Sequence, residues 1–324
     1  MHIAIDASRA ARPRPTGTEA YSRNLLRELV PLARQHRLDL YYDRPPPLSL
    51  GGGHAAERVV PLPRLWTHGR LSLELLRRRP DVLFVPSHVV PLAHPCPTVV
   101  TVHDLGYLRY RLAYRPAAWI YLLLSTLWSA QAATRVIADS AATRRDLVRH
   151  SRIDPTRVDV VPLGVEARFH PRPPRGERPY FLFVGTRQPR KNLARVLRAY
   201  AAARRRAPMP ELWIGGAAGG ASYRGGALEL PAGARVLGYV PEQELPALYA
   251  GATAVLLPSL YEGFGLPLLE GMASGVPVLG GRNSSMPEIV GDAGMLVEAE
   301  DEREIEGGLV RLATEPRLRE ELGA

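Results

Sequence analysis

The sequence predicts an α/β protein of two domains, each a parallel sheet covered by helices on both faces, with the two sheets facing each other across a cleft. Three observations carry this expectation. Short, almost continuously apolar runs alternate with helical segments along the chain, as expected of strands buried on both faces. The 324 residues suit two cores of roughly 150 residues each better than one. Between residues 171 and 179 the sequence runs Pro-Arg-Pro-Pro-Arg-Gly-Glu-Arg-Pro, which holds neither a helix nor a central strand. That run is the expected hinge, dividing the chain into 1–170 and 171–324.

In the first part, His2–Asp6 reads as a strand and Glu19–Val30 as a helix ended by Pro31. Val82–Val85, Thr98–Val102, Arg135–Asp139 and Val158–Pro162 read as further buried strands. The triple proline at 45–47 followed by Gly51–Gly53 marks a surface loop. Ser140 is placed to cap a helix reaching about His150. Ala117–Ala133 approaches the length of a membrane span, but Ser125, Thr126, Ser129 and Gln131 interrupt it. A helix that is buried or lies on a surface is expected instead. After the hinge, strands are expected at Tyr180–Val184, Leu212–Gly215, Val236–Tyr239, Ala254–Pro258 and Pro277–Leu279. Helices are expected at Asn192–Arg206, Glu242–Ala250 and Pro267–Ser274, with a last one from Glu302.

Composition narrows the function classes. An apolar share of 46% and a charged share of 23% are those of a globular protein. Cys96 is the only cysteine, so no intrachain disulfide forms and cysteine-rich metal sites are excluded. No basic leader precedes the first strand, so a cytoplasmic protein is expected. The net charge of +10 lies in the first part, where 24 arginines face 14 acids; residues 171–324 balance at 18 each. A codon bias toward arginine accounts for this, and so does a basic face for an anionic membrane or a phosphate-linked acceptor. With no aromatic-basic or recognition-helix pattern, nucleic acid is not an expected partner.

Four segments carry candidate chemistry. In Tyr261-Glu-Gly-Phe-Gly-Leu-Pro-Leu-Leu-Glu270 a buried strand leads through two glycines to Pro267, a favoured first helical residue. The amides around Gly265, Leu266 and Leu268 then stand at a helix N-terminus, suited to a phosphate or a sugar hydroxyl. Glu270, one turn in, can grip a vicinal diol, and Glu262 precedes the loop; acids at a helix start are also ordinary. In Phe183-Val-Gly-Thr-Arg-Gln-Pro-Arg-Lys-Asn192 a cationic loop joins a strand to a helix, the placement of a phosphate site. Lys191 is the single lysine of the chain, a point charge kept where arginine fills every other cationic position. Pro15-Thr-Gly-Thr18 sets Gly17 before a helix, where a backbone can approach a ligand or simply turn. His103-Asp104 ends the strand Thr-Val-Val-Thr-Val, where an imidazole can meet a hydroxyl or a developing charge.

Together these segments resemble the retaining GT-B glycosyltransferases of group 1, family 4. Glu262 and Glu270 match that family's E-x7-E motif within Tyr-Glu-Gly-Phe-Gly-Leu-Pro, and the order of the Gly17, His103 and Lys191 segments agrees. The resemblance implies two Rossmann-like domains, with a nucleotide-diphosphate sugar held mainly by the second. It implies that Lys191 with Arg187 or Arg190 neutralises the diphosphate without a metal, and no cofactor is called for. Glu270 would bind ribose, the amides of Phe264, Gly265 and Leu266 the sugar, and Glu262 and His103 would line it, with Gly17 approaching as the domains close. The acceptor would be a glycan or a lipid-linked sugar, and transfer would retain anomeric configuration. Resemblance to polysaccharide and O-antigen mannosyltransferases suggests GDP-mannose, with UDP-sugars next.

Two departures stand out. Thr186 occupies a position where many members carry arginine, and the family usually continues through a further helix beyond the charged one that ends at Ala324. A shortened C-terminal end is therefore expected. The competing readings are a sugar-nucleotide 2-epimerase and an inactive sugar-nucleotide-binding module. A dinucleotide-dependent dehydrogenase is disfavoured, since no G-x-G-x-x-G follows the first strand.

Overall fold

The computed structural model describes residues 1–13, 15, 17–87, 89–173, 178–216 and 229–323. Its first sheet contains β1 (His2–Asp6), β2 (Arg37–Tyr42), β3 (Ala55–Val59), β4 (Val82–Val85), β5 (Thr98–Val102), β6 (Arg135–Ala138) and β7 (Val158–Val160). Its second contains β8 (Tyr180–Val184), β9 (Glu211–Gly215), β10 (Ala234–Gly238), β11 (Ala254–Leu257), β12 (Val278–Gly281) and β13 (Met295–Val297). The strand orders are β3-β2-β1-β4-β5-β6-β7 and β10-β9-β8-β11-β12-β13, and every pairing is parallel. Both sheets therefore wind outward from their first strand, reversing between β1 and β4 and again between β8 and β11. Such reversal points open a crevice beyond the carboxyl ends of the strands.

The run Tyr-Phe-Leu-Phe-Val of β8 shows why these strands read as unbroken apolar text. Phe181 and Phe183 enter a core formed with the helices Leu193–Ala203 and Glu302–Thr314. Tyr180 and Leu182 enter the core on the opposite face, against Leu245–Ala250, Leu266–Ala273 and Met286–Val290. Successive side chains alternate faces and both faces are dry. Burying each such side chain contributes about 1.5–3 kcal/mol. In the first sheet Ile5, Leu38, Leu40 and Tyr42 pack on Leu26 and Val30 of the helix Gly17–Leu32.

The chain packs as two units, Met1–Asp104 with Ile120–Val161, and Leu105–Trp119 with Pro162–Ala324. This differs from the expected division at 170/171. Residues 162–170 belong to the second unit because Phe169 is buried there, its ring 5.5 Å from that of Tyr249, and Arg168 donates to the Glu242 carbonyl at 2.8 Å. Residues 174–177 of the expected hinge lie outside the described residues, as does Thr16. Ser140 caps the helix Ala141–Ser151 as expected, accepting from the Thr143 amide at 3.0 Å. The sequence reading missed β2, β3 and β13 and helices including Ser72–Arg78, Met286–Val290 and Pro316–Gly323.

Candidate active site

The loop after β8 and the loop after β11 meet at the reversal point of the second sheet. Pro189 opens a single 3₁₀ turn, Pro189–Lys191, and Asn192 follows at φ 65°, a left-handed conformation that asparagine tolerates. Its side-chain Nδ2 donates to the carbonyls of Pro258 (2.9 Å) and Ala299 (2.6 Å). The Leu260 amide donates to the Arg190 carbonyl at 2.7 Å, joining the two loops by backbone.

This backbone frame brings residues 71 positions apart into one buried cluster. The Lys191 ammonium lies 2.8 and 2.9 Å from the two oxygens of the Glu262 carboxylate. The Arg190 guanidinium reaches that carboxylate at 3.0 Å and the Tyr261 carbonyl at 2.9 Å. Two cations thus converge on one carboxylate. Burial would push the Glu262 carboxyl up, but Lys191 and Arg190 outweigh it and hold it below the ordinary glutamate range. Serines not singled out in the sequence hold the loop. Ser284 accepts from the Glu262 amide at 3.0 Å, and the Ser285 hydroxyl sits 2.9 and 2.7 Å from the Glu262 and Phe264 carbonyls.

Beneath the cationic loop, two glycines let backbones touch. Gly216 stands at φ +127°, and a Cβ there would lie 2.1 Å from the Gly185 carbonyl oxygen. A Cβ on Gly185 would itself meet the Lys191 side chain at 3.6 Å. Arg187 is partly buried, and its Nε has no hydrogen-bond partner among the described residues.

Gly265, at φ 110°, turns the chain into the helix Leu266–Ala273, with Pro267 in its first turn. The Leu268 amide belongs to that turn, donating to the Gly265 carbonyl at 2.9 Å, so it is not among the ligand-facing amides the sequence suggested. Glu270 lies partly buried beside the buried Tyr249. Burial pushes its carboxyl up to about 7, against the opposing pull of Tyr249 and Arg168.

The other two predicted site residues lie in the first unit. Gly17 is the first residue of its helix, with open space where a Cβ would stand. One turn on, the Tyr21 ring meets His103 edge-on at 4.6 Å, and its hydroxyl lies 3.3 Å from Thr101. His103 is buried, with Nδ1 2.7 Å from Asp139 and Nε2 3.0 Å from the Pro86 carbonyl. A carbonyl only accepts, so Nε2 carries a proton, and a second proton is shared between Nδ1 and Asp139. Burial pulls the imidazole down, but Asp139 outweighs it and holds His103 above its ordinary value. Three adjacent strand ends, after β4, β5 and β6, are thereby tied together. Asp139 was not foreseen as the partner; an acid ending the neighbouring strand was the available signal.

Residues 166–324 match the family model described as glycosyl transferases group 1, and residues 15–169 that of glycosyltransferase family 4. The chain is 33% identical over 229 residues to O-antigen chain mannosyltransferase B of Escherichia coli, covering 63% of this chain and 58% of the relative. It is 33% identical over 194 residues to the MMP alpha-(1->4)-mannosyltransferase of Mycolicibacterium hassiacum, covering 57% and 46%. The matches thus span about half the length of these curated relatives. Among solved structures, sucrose-phosphate synthase of Thermosynechococcus elongatus superposes with a TM-score of 0.77 at 18% identity, covering 100% of this chain and 92% of that one. Anabaena HepE, solved with UDP-glucose, gives 0.77 at 16% over the same shares. These likenesses show the GT-B fold. With the two family models together covering residues 15–324, the chain belongs to the group 1, family 4 glycosyltransferases.

Proposed function

We propose that this chain transfers a sugar, with retained anomeric configuration, from a nucleotide-diphosphate sugar to a glycan or lipid-linked acceptor. The observation that carries the reading is the convergence of Lys191 and Arg190 on Glu262 at the reversal point of the second sheet. A diphosphate would compete with that carboxylate for both cations. Glu262 acts as their internal counter-ion; displaced from them, its carboxylate would accept from a sugar hydroxyl. Cations fixed where leaving-group charge develops are the strongest catalytic effect such a site offers, and they do the work a divalent metal does in other transferases. The departing diphosphate would take the acceptor's proton on the same face.

In this reading the Phe264–Leu266 loop holds the sugar and Glu270 the ribose diol, while Arg187, its Nε buried with no hydrogen-bond partner among the described residues, is a further phosphate contact. His103, engaged at both nitrogens, braces the strand ends rather than acting as a base. Mannose, as GDP-mannose, is the proposed donor sugar because two of the relatives are named mannosyltransferases; HepE, solved with UDP-glucose, keeps UDP-sugars next.

A thermal-shift panel of GDP-, UDP- and ADP-sugars tests the reading. A donor should raise Tm in the wild type but not in Lys191→Ala or Glu270→Ala. Unchanged shifts in both variants would sink the donor-site assignment. Donor isomerisation without transfer would favour an epimerase, and binding without turnover an inactive module.

A further inference from the structure

The helix Pro116–Ala132 is turned inside out. Its buried residues are Ser125, Thr126, Ser129 and Ala130, whereas Ile120, Tyr121, Leu124 and Trp128 are 49%, 53%, 61% and 38% exposed. That spacing lays the four large side chains along one outward stripe. The helix contains no acid or base, so nothing on it interrupts the stripe. The polar face is used inward: the Ser129 hydroxyl accepts from the Val90 amide at 2.9 Å, while the exposed Gln131 at the helix end donates to the Ser151 carbonyl at 2.6 Å. Trp128 is pinned with its ring at the surface, its indole N–H donating to the Val90 carbonyl at 3.2 Å.

The segment leaving Val90 extends the face. Leu92 is 59% exposed, and the Ala93 amide donates at 3.3 Å to Ser72, which opens the helix Ser72–Arg78. That helix exposes Leu73 and Leu76 beside its cations. Arg70, Arg77 and Arg78 all draw on the single carboxylate of Glu74, at 3.1, 3.8 and 3.2 Å. Arg79 follows them, exposed at the helix end. Three cations on one acid leave the face positive.

We propose that this face lies on an anionic lipid surface, with the stripe from Ile120 to Trp128 entering the interface and the arginines meeting lipid phosphates. An apolar, aromatic stripe edged by cations is the chemistry that binds an interface rather than a neutral protein groove. The helix lies flat. Seventeen residues extend about 25 Å, short of a bilayer core of about 30 Å, and no helix among the described residues is long and apolar enough to cross.

The test is cosedimentation of the full chain with phosphatidylglycerol–phosphatidylcholine vesicles and with phosphatidylcholine alone. The chain should bind the anionic vesicles preferentially and release as salt rises. Leu124→Glu, at an exposed position, should weaken binding on the order of tenfold while keeping the wild-type Tm. Binding unchanged in Leu124→Glu would overturn the proposal, leaving a charge effect without an apolar contact. So would failure of the wild type to bind, or a dimer that Leu124→Glu dissociates, which would assign the stripe to a second copy. The donor-induced shift in Tm is read in the same samples. Its absence alongside intact vesicle binding would count against the donor site and leave this face standing.

Discussion

The two sheets end in polar clusters of opposite character. At the carboxyl ends of β4, β5 and β6, His103 is matched to Asp139 and to a backbone carbonyl, one imidazole closed off by two acceptors. At the ends of β8 and β11, two cations lean on one carboxylate. The first cluster braces strand ends; the second gathers two cations for which a diphosphate can compete. Position also differs. The cationic cluster sits where its sheet reverses direction, while the histidine follows the strand one place beyond the corresponding reversal. A strand-end residue of the right type is therefore an incomplete argument for contact with a ligand; how its hydrogen bonds are already spent decides the rest.

If that contrast is right, Lys191→Ala should show the largest effect, lowering kcat/KM for sugar transfer about 10²–10³-fold. A loss of less than tenfold would place the diphosphate elsewhere. Next is the floor of the same site. Gly216→Ala forces a side chain into the Gly185 carbonyl at a left-handed φ, and should cost on the order of 3 kcal/mol in urea denaturation.

Asp139→Asn tests the closed cluster. The raised values of His103 and Asp139 both mean that the folded chain holds more protons than the unfolded one. The His103 contribution is complete below pH 6.5 and fades as pH rises through its folded value. The wild type should therefore lose stability between neutral and mildly alkaline pH. Asp139→Asn should flatten or reverse that slope and cost about 2 kcal/mol near pH 6; an intact slope would assign it to another group.

Titration of Glu270 should give the smallest effect. With its carboxyl raised from 4.5 to about 7, it weakens the fold as pH climbs through that window, while the ionised form grips ribose better. Donor Kd measured by calorimetry should improve as pH rises through 7, by about tenfold, and Glu270→Gln should abolish the trend.

Much of the second unit was legible because its strands are buried on both faces and its loops carry charge. β8 was read to the residue, and Lys191 and Glu262 were each singled out, although their direct pairing was not. That pairing depends on β8 lying next to β11, a neighbour relation that a linear sequence does not display. Ser284, Ser285 and Asn192 were passed over for the same reason, since their partners are backbone atoms of distant loops. The residues of β3, Ala-Ala-Glu-Arg-Val, none of them buried, lack the apolar run that betrays a buried strand. Residues 162–170 pack with the second unit although they precede the proline run, because proline marks a break in regular structure, whereas packing of Phe169 marks the boundary of a core.

Lys191 has a chemical consequence of its own. It carries the only ε-amine in the 324 residues, so an amine-directed acylating reagent has one side-chain target in the whole molecule. That target is 8% exposed and held against a carboxylate, so its labelling rate reports how often the ion pair opens. A single protein thus comes with a built-in, one-residue clock for its own candidate site.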